Sequence, residues 1–159
     1  MNKSQLLKEI VAALGESLET LERAARASHN EATHESSRAE SKYDTRGLEA
    51  AYLAGGQARQ AREIMESMKL YSSLETRAFA ASDLIDLTAV VKLETDGAPF
   101  LYFIGPKSGG VEVNFNGEEI TVITPQSPLG QNLVGKKSGQ SWTAKVGASN
   151  VKYKITKVW

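Results

Sequence analysis

Near residue 75 the hydrophobic period of this 159-residue chain changes from about 3.6 residues to 2. No one element type serves both periods, so a helical part must be followed by a sheet part. Upstream, Leu7, Leu14 and Leu21 recur every seventh residue, with Ile10, Ser17 and Ala24 between them and Leu6, Val11, Leu18 and Ala25 alongside. This heptad-like seam predicts a helix over residues 4–28 with Ser4 as N-cap. Gly15 costs roughly 1 kcal/mol against Ala there but does not stop the helix. A second helix is expected over residues 36–71, its apolar side marked less regularly by Tyr43, Leu48, Tyr52, Ala58, Ile64, Met65, Met68 and Tyr71.

Two places compete to turn the chain between these helices. A turn at Gly55-Gly56 would leave a long unpaired arm. A turn at residues 30–34 gives arms of about 25 and 35 residues, roughly 37 and 52 Å at 1.5 Å per residue. The second placement sets Leu14 near Ala51 and Leu21 near Asp44. Gly55-Gly56 then becomes a close-packing or bending point.

Beyond a connector at residues 74–86, strands are expected at 89–93, 100–104, 111–115, 119–124, 142–146 and 151–159. Asn116-Gly117 signals a hairpin. Ser127-Pro128 reads as an N-cap followed by proline at the first helical position, opening a short helix that stops at Gly135. The class is therefore α+β. A helical hairpin over residues 1–75, with its tip near 29–35, precedes a small, mostly antiparallel sheet domain with one short helix over 76–159. The aromatic residues Phe100, Tyr102, Phe103, Phe115, Trp142, Tyr153 and Trp159 are spaced like strand core.

Composition removes several function classes. The formal net charge is zero and the pI about 6.8, which argues against a general nucleic-acid coat protein. Without cysteine there is no disulfide, thiol nucleophile or Cys-based zinc site. Charged residues interrupt the apolar run at the N-terminus, and no window approaches 18 uninterrupted apolar residues. We expect a cytoplasmic protein with no membrane partner. No nucleophile–base set is visible, and Gly109-Gly110 is not followed by the Lys-Ser/Thr of a phosphate loop.

The remaining chemistry lies in residues 29–46, which hold both histidines, His29 and His34. Glu31 and Glu35 are four residues apart and share a face on a helical turn. Such a pair suits a hard cation such as Mg²⁺, which takes few protein ligands and keeps its waters. The same residues are also compatible with a solvated, charge-rich hairpin end, or with a transition-metal site using His29, Glu31, His34 and Glu35. Behind them Arg38 and Lys42, paired across the hairpin with Arg23 and Arg26, would form a basic collar for phosphates or a charged wall. Glu19, Glu22 and Glu40 could instead neutralise it as helix-surface pairs. Lys145, Lys152, Lys154 and Lys157 read most simply as the solvent face of an amphipathic sheet.

The run Ser127-Pro128-Leu129-Gly130, with Leu133, Gly135-Lys136-Lys137, Gly139 and the closing Tyr153-x-Ile155, resembles the C-terminal part of the GreA/GreB family of bacterial transcription elongation factors. Length and element order agree over the whole chain. The segment Tyr43-Asp44-Thr45-Arg46 with Leu48-Glu49-Ala50 looks like a branch distinct from the familiar cleavage factors. The resemblance implies an FKBP-like C-terminal domain that docks on core RNA polymerase, with Ser127, Pro128 and Leu129 at the docking surface. The coiled coil would then enter the secondary channel and bring its tip to the nascent RNA 3′ end. In the cleavage factors, tip acids help hold an Mg²⁺ of the polymerase, so the chain would not itself be an enzyme and would carry no cofactor of its own.

Here the tip departs from the family's pattern of Asp and Glu three apart followed by Asn-Ala. One alignment puts Asn30 and Thr33 at the acid positions; another offers Glu31 and Glu35. The resemblance thus implies a monomeric elongation factor that modulates elongation, with stimulated cleavage and channel occupancy without cleavage both open. A prolyl isomerase, suggested by the FKBP-like sheet, and a coiled-coil dimerisation module are the readings from other classes.

Overall fold

The computed structural model describes the backbone of residues 1–33 and 46–159 and the side chains of residues 1–27, 53 and 55–159. Helix α1 spans Lys3–Thr33 and α2 spans Arg46–Ser72. Strands β1 (Val90–Thr95), β2 (Ala98–Ile104), β3 (Glu112–Phe115) and β4 (Glu118–Ile123) follow, then α3 (Pro128–Leu133), β5 (Ser141–Val146) and β6 (Ser149–Val158). The chain forms two compact units, one of Leu14–Tyr71 and one of Met1–Ala13 with Ser72–Trp159. The sequence reading placed its division between residues 75 and 76, without the first thirteen residues on the sheet side.

In the helical unit, α1 continues through residues 30–33, where a turn was expected. Asn30, Glu31, Ala32 and Thr33 include no glycine or proline to stop it. Residues 34 and 35, the rest of the expected tip, lie outside the described residues. The pairing of the helices also differs from expectation. A β-carbon on Gly15 would lie 3.7 Å from Met68 Cε, whereas the expected register set Leu14 near Ala51. Gly55 and Gly56 sit exposed inside α2, and a β-carbon on either would meet nothing within 4 Å. Close packing is therefore not what places glycine there.

In the other unit all six expected strands and the short helix form within a few residues of their predicted limits. The sheet order is β3-β4-β2-β1-β6-β5, and every pairing is antiparallel except β2 with β4. The mixed sheet arises because β3 lies at the edge, so β4 returns between it and β2. Asp96-Gly97 closes the β1–β2 hairpin with both residues at positive φ, 51° and 80°, so Ala98-Pro99 belongs to β2 and not to a longer connector. Asn116-Gly117 closes β3–β4 in the same way.

One face of the sheet builds a core from Val91, Leu93, Ile104, Ile123, Ile155 and Val158 with Leu133 of α3. Phe79 and Ile85, in the segment read as a mere connector, are buried in the same core. Ile85 is fixed there by two backbone bonds, donating to the Lys136 carbonyl at 2.8 Å and accepting from Gly135 N–H at 2.9 Å. Val90, Phe103, Ile120 and Val122 are buried on the opposite face, and Leu6, Leu7 and Ile10 are the buried apolar residues of the helical segment in this unit.

That helical segment carries one buried cation. Lys3 is only 7% exposed, and its ammonium donates to the Arg77 carbonyl at 2.6 Å. It lies 4.5 Å from the centre of the Phe79 ring, and the Arg77 guanidinium lies 3.8 Å from the same centre. Burial, with the nearby Arg77 charge as a smaller cause, lowers the Lys3 pKa to about 8.

Candidate functional site

The turn from β4 into α3 is the most tightly determined candidate. Ser127 has extended backbone (φ −66°, ψ 153°), and its hydroxyl oxygen accepts from Gly130 N–H at 3.1 Å, as an N-cap does. The same hydroxyl donates to the Thr124 carbonyl at 2.8 Å. Gly130 is buried, and a β-carbon there would collide with the Thr124 carbonyl oxygen. Pro128 at the first helical position is exposed, whereas Leu129 is half-buried and packs against the sheet core. Of the three expected docking residues, Pro128 is thus presented to solvent, Ser127 holds the turn and Leu129 is largely committed to the core.

Of the collar, Arg23 and Arg26 are exposed on α1. The Arg23 guanidinium donates to the Thr20 hydroxyl at 3.2 Å, and that hydroxyl donates in turn to the Glu16 carbonyl at 2.9 Å. Arg38 and Lys42 lie outside the described residues. Glu31 falls on α1, but its side chain is not among those described, and Glu35 lies outside them. Among the described residues no group of three His, Cys, Asp or Glu could hold a metal ion.

The aromatic residues divide. Phe103 and Phe115 are buried, as expected of strand core. Trp142 and Tyr153 stack across the β5–β6 pair, centroids 5.0 Å apart at 11°, and pack with Tyr102 on the edge of the core. Burial raises the Tyr102 pKa, and Tyr153 adds to the effect. Phe100 departs from the core reading. It is 47% exposed and lines a notch of about 330 Å³ with Pro99, Glu118 and Glu119, where β2 and β4 diverge before their parallel pairing begins. Proline tolerates that position because Pro99 pairs only with β1 and needs no donor toward β4.

The family description "transcription elongation factor, GreA/GreB, C-terminal" matches residues 80–159. Among solved structures, the chain is similar to GreA factor homolog 1 of Thermus thermophilus, with 22% identity over 94% of each chain and a TM-score of 0.38. It is similar to the homologous factor of Thermus aquaticus at 23% identity, 95% of this chain and 94% of that one, TM-score 0.39. A prokaryotic GreA/GreB factor from Nitrosomonas europaea is 18% identical over 65% of this chain and 78% of its own, TM-score 0.37. No curated protein matches the chain. No described helix is long and apolar enough to cross a membrane.

Proposed function

Because this chain belongs to the GreA/GreB family of transcription elongation factors, we propose that it binds core RNA polymerase through its sheet domain and inserts its helical part into the secondary channel. The observation that carries this reading is the family match over residues 80–159, which takes in the whole β1–β6 sheet and the Ser127–Gly130 turn. The protein acts as a cytoplasmic monomer at the nascent RNA 3′ end and modulates elongation. It is not itself an enzyme; any hydrolysis belongs to the polymerase.

Glu31 and Glu35 are the carboxylates offered to the polymerase's Mg²⁺. Two acids fit a hard cation that takes its remaining ligands from elsewhere, and the ion supplies Lewis-acid charge stabilisation in the polymerase site. Arg23, Arg26, Arg38 and Lys42 face RNA phosphates or the channel wall. The non-cleaving alternative, occupancy of the channel alone, rests on the tip sequence, where one alignment puts Asn30 and Thr33 at the acid positions.

A transcription assay on a stalled, backtracked complex separates these outcomes. Shortened RNA that depends on added protein supports donation of ligands to the metal. Altered elongation without shortening supports occupancy. No effect of either kind, with binding to polymerase also absent, removes the reading altogether.

A further inference from the structure

The zero net charge of the whole chain conceals a separation of charge within the sheet domain. Residues 80–119 hold seven carboxylates against two lysines, whereas residues 120–159 hold six lysines and no Asp or Glu. The sheet order turns this sequence segregation into a spatial one. β3 and β4, with Glu112, Glu118 and Glu119, form one edge, and β6 and β5 form the other.

At the basic edge the register gathers the lysines on one face. Lys145 pairs with Asn150, Lys152 with Thr143, and Lys154 with Ser141. Paired residues share a face, so all three lysines point the same way. Simple alternation would send Lys157 to the opposite face. A bulge opposite Lys92/Leu93 prevents this, because Lys157 pairs with Lys92 while Ile155 pairs with Leu93. The Thr156 hydroxyl secures the bulge by donating to the Lys92 carbonyl at 3.1 Å. Lys145, Lys152, Lys154 and Lys157 are all exposed. Two carboxylates share the face: Glu94, opposite Lys154, and Glu118, which lies 3.5 Å from Lys92.

We propose that this β5–β6 lysine face binds the phosphate backbone of duplex DNA without reading its sequence. The neighbours of the lysines on this face are Ser141 and Thr143 on β5, Asn150 on β6, and Glu94 and Lys92 on β1, with no exposed apolar side chain among them. A protein partner would need an apolar or aromatic centre to this surface, whereas phosphates need only charge and donors. Single strands bind through aromatic platforms. Trp142 and Tyr153 face the other side of the sheet with the core, and Trp159 is half-covered beneath the Lys157 ammonium, 4.7 Å from its ring. Lysines two apart on one strand stand about 6.7 Å from each other, on a face that pairing to β5 and β1 keeps rigid. This inference does not depend on binding to polymerase.

The test is anisotropy of a labelled random-sequence 20-base-pair duplex titrated with the full chain, without polymerase, between 50 and 200 mM salt. Four phosphate contacts give a log–log salt slope of roughly −3.6, or about a 150-fold weakening across that range. Replacing Lys145, Lys152 and Lys154 together by Gln should bring the slope to roughly −1, while Arg at the same three positions retains it. Gln at Arg59 and Arg62, exposed on α2, should leave the slope unchanged. The proposal is overturned if the wild type does not bind at 50 mM salt, if the Lys→Gln variant keeps the slope with an unaltered circular dichroism spectrum, if the Arg59/Arg62 variant abolishes binding, or if a single strand of equal length binds as tightly as the duplex.

Discussion

The carbonyl oxygen of Thr124 occupies the space that a β-carbon on Gly130 would need. Ser127 reinforces the approach, donating to that carbonyl and accepting from Gly130 N–H. The colliding atom is backbone, so it cannot rotate away as a side chain could. Gly130→Ala should therefore destabilise the sheet domain by about 1–3 kcal/mol or more, measured by urea denaturation. A variant as stable as the wild type would mean that the turn relaxes freely.

Ser127 can be assessed beside it. Removing an N-cap hydroxyl costs about 1 kcal/mol, so Ser127→Ala should be milder than Gly130→Ala. The sequence alone led to the cap through its Ser-Pro spacing. It gave no sign that Gly130 answers to a steric conflict, because the conflicting atom belongs to a residue six positions earlier across a turn.

Lys3 supplies a pH signature. Its folded pKa of about 8 lies below the ordinary value of 10.5, so between these pH values the unfolded chain holds more protons than the folded one. Stability should then rise with pH across that window, by at most about 3 kcal/mol at 1.36 kcal/mol per unit. Lys3→Met should flatten the rise. The comparison is best read between pH 7 and 9.5, before the raised pKa of Tyr102 contributes an opposite trend. Parallel pH curves for the two proteins would refute the account of Lys3.

Gly55 and Gly56 lie in α2 with nothing for an added β-carbon to strike. Gly→Ala at either should stabilise the helix by about 0.5–1 kcal/mol, raising the melting temperature of the helical unit. A loss of stability would show that the pair needs its glycines for a reason the surrounding packing does not supply.

Sheet and helices were legible in the sequence to different degrees. Alternation and the Asn116-Gly117 and Ser127-Pro128 signals located every strand and α3, because those features act over a few residues. The Asp96-Gly97 turn carried the same signal as Asn116-Gly117 but was absorbed into a longer connector by the proline after it. The parallel β2–β4 pairing was not legible, since it depends on which strand takes the edge. Helix pairing was less legible still. A heptad seam fixes which side of α1 is apolar, not which residue of α2 it meets, and Gly15 meets Met68. Phe79 and Ile85 lacked any periodic context, so their burial could not be anticipated.

In the proposed function, Glu31 and Glu35 decide the mode of action. If Glu31 and Glu35 reach the polymerase's Mg²⁺, Glu31→Ala and Glu35→Ala should leave polymerase binding intact. Cleavage of backtracked RNA should then slow by one or more orders of magnitude, about 1.4 kcal/mol for each tenfold. Equal cleavage by wild type and both variants would exclude the two acids as ligands.

The central claim is that the sheet domain docks this protein on polymerase, and its most direct measurement is the affinity of the labelled full chain for core enzyme. Pro128 is the exposed member of the Ser127–Leu129 run, so its replacement reports on docking with the least disturbance to the core that Leu129 packs against. The account predicts saturable binding of one protein per polymerase, weakened roughly 5- to 10-fold by Pro128→Ala, a loss of about 1–1.4 kcal/mol, with the circular dichroism spectrum unchanged. A correctly folded wild-type protein that does not bind core polymerase would contradict it.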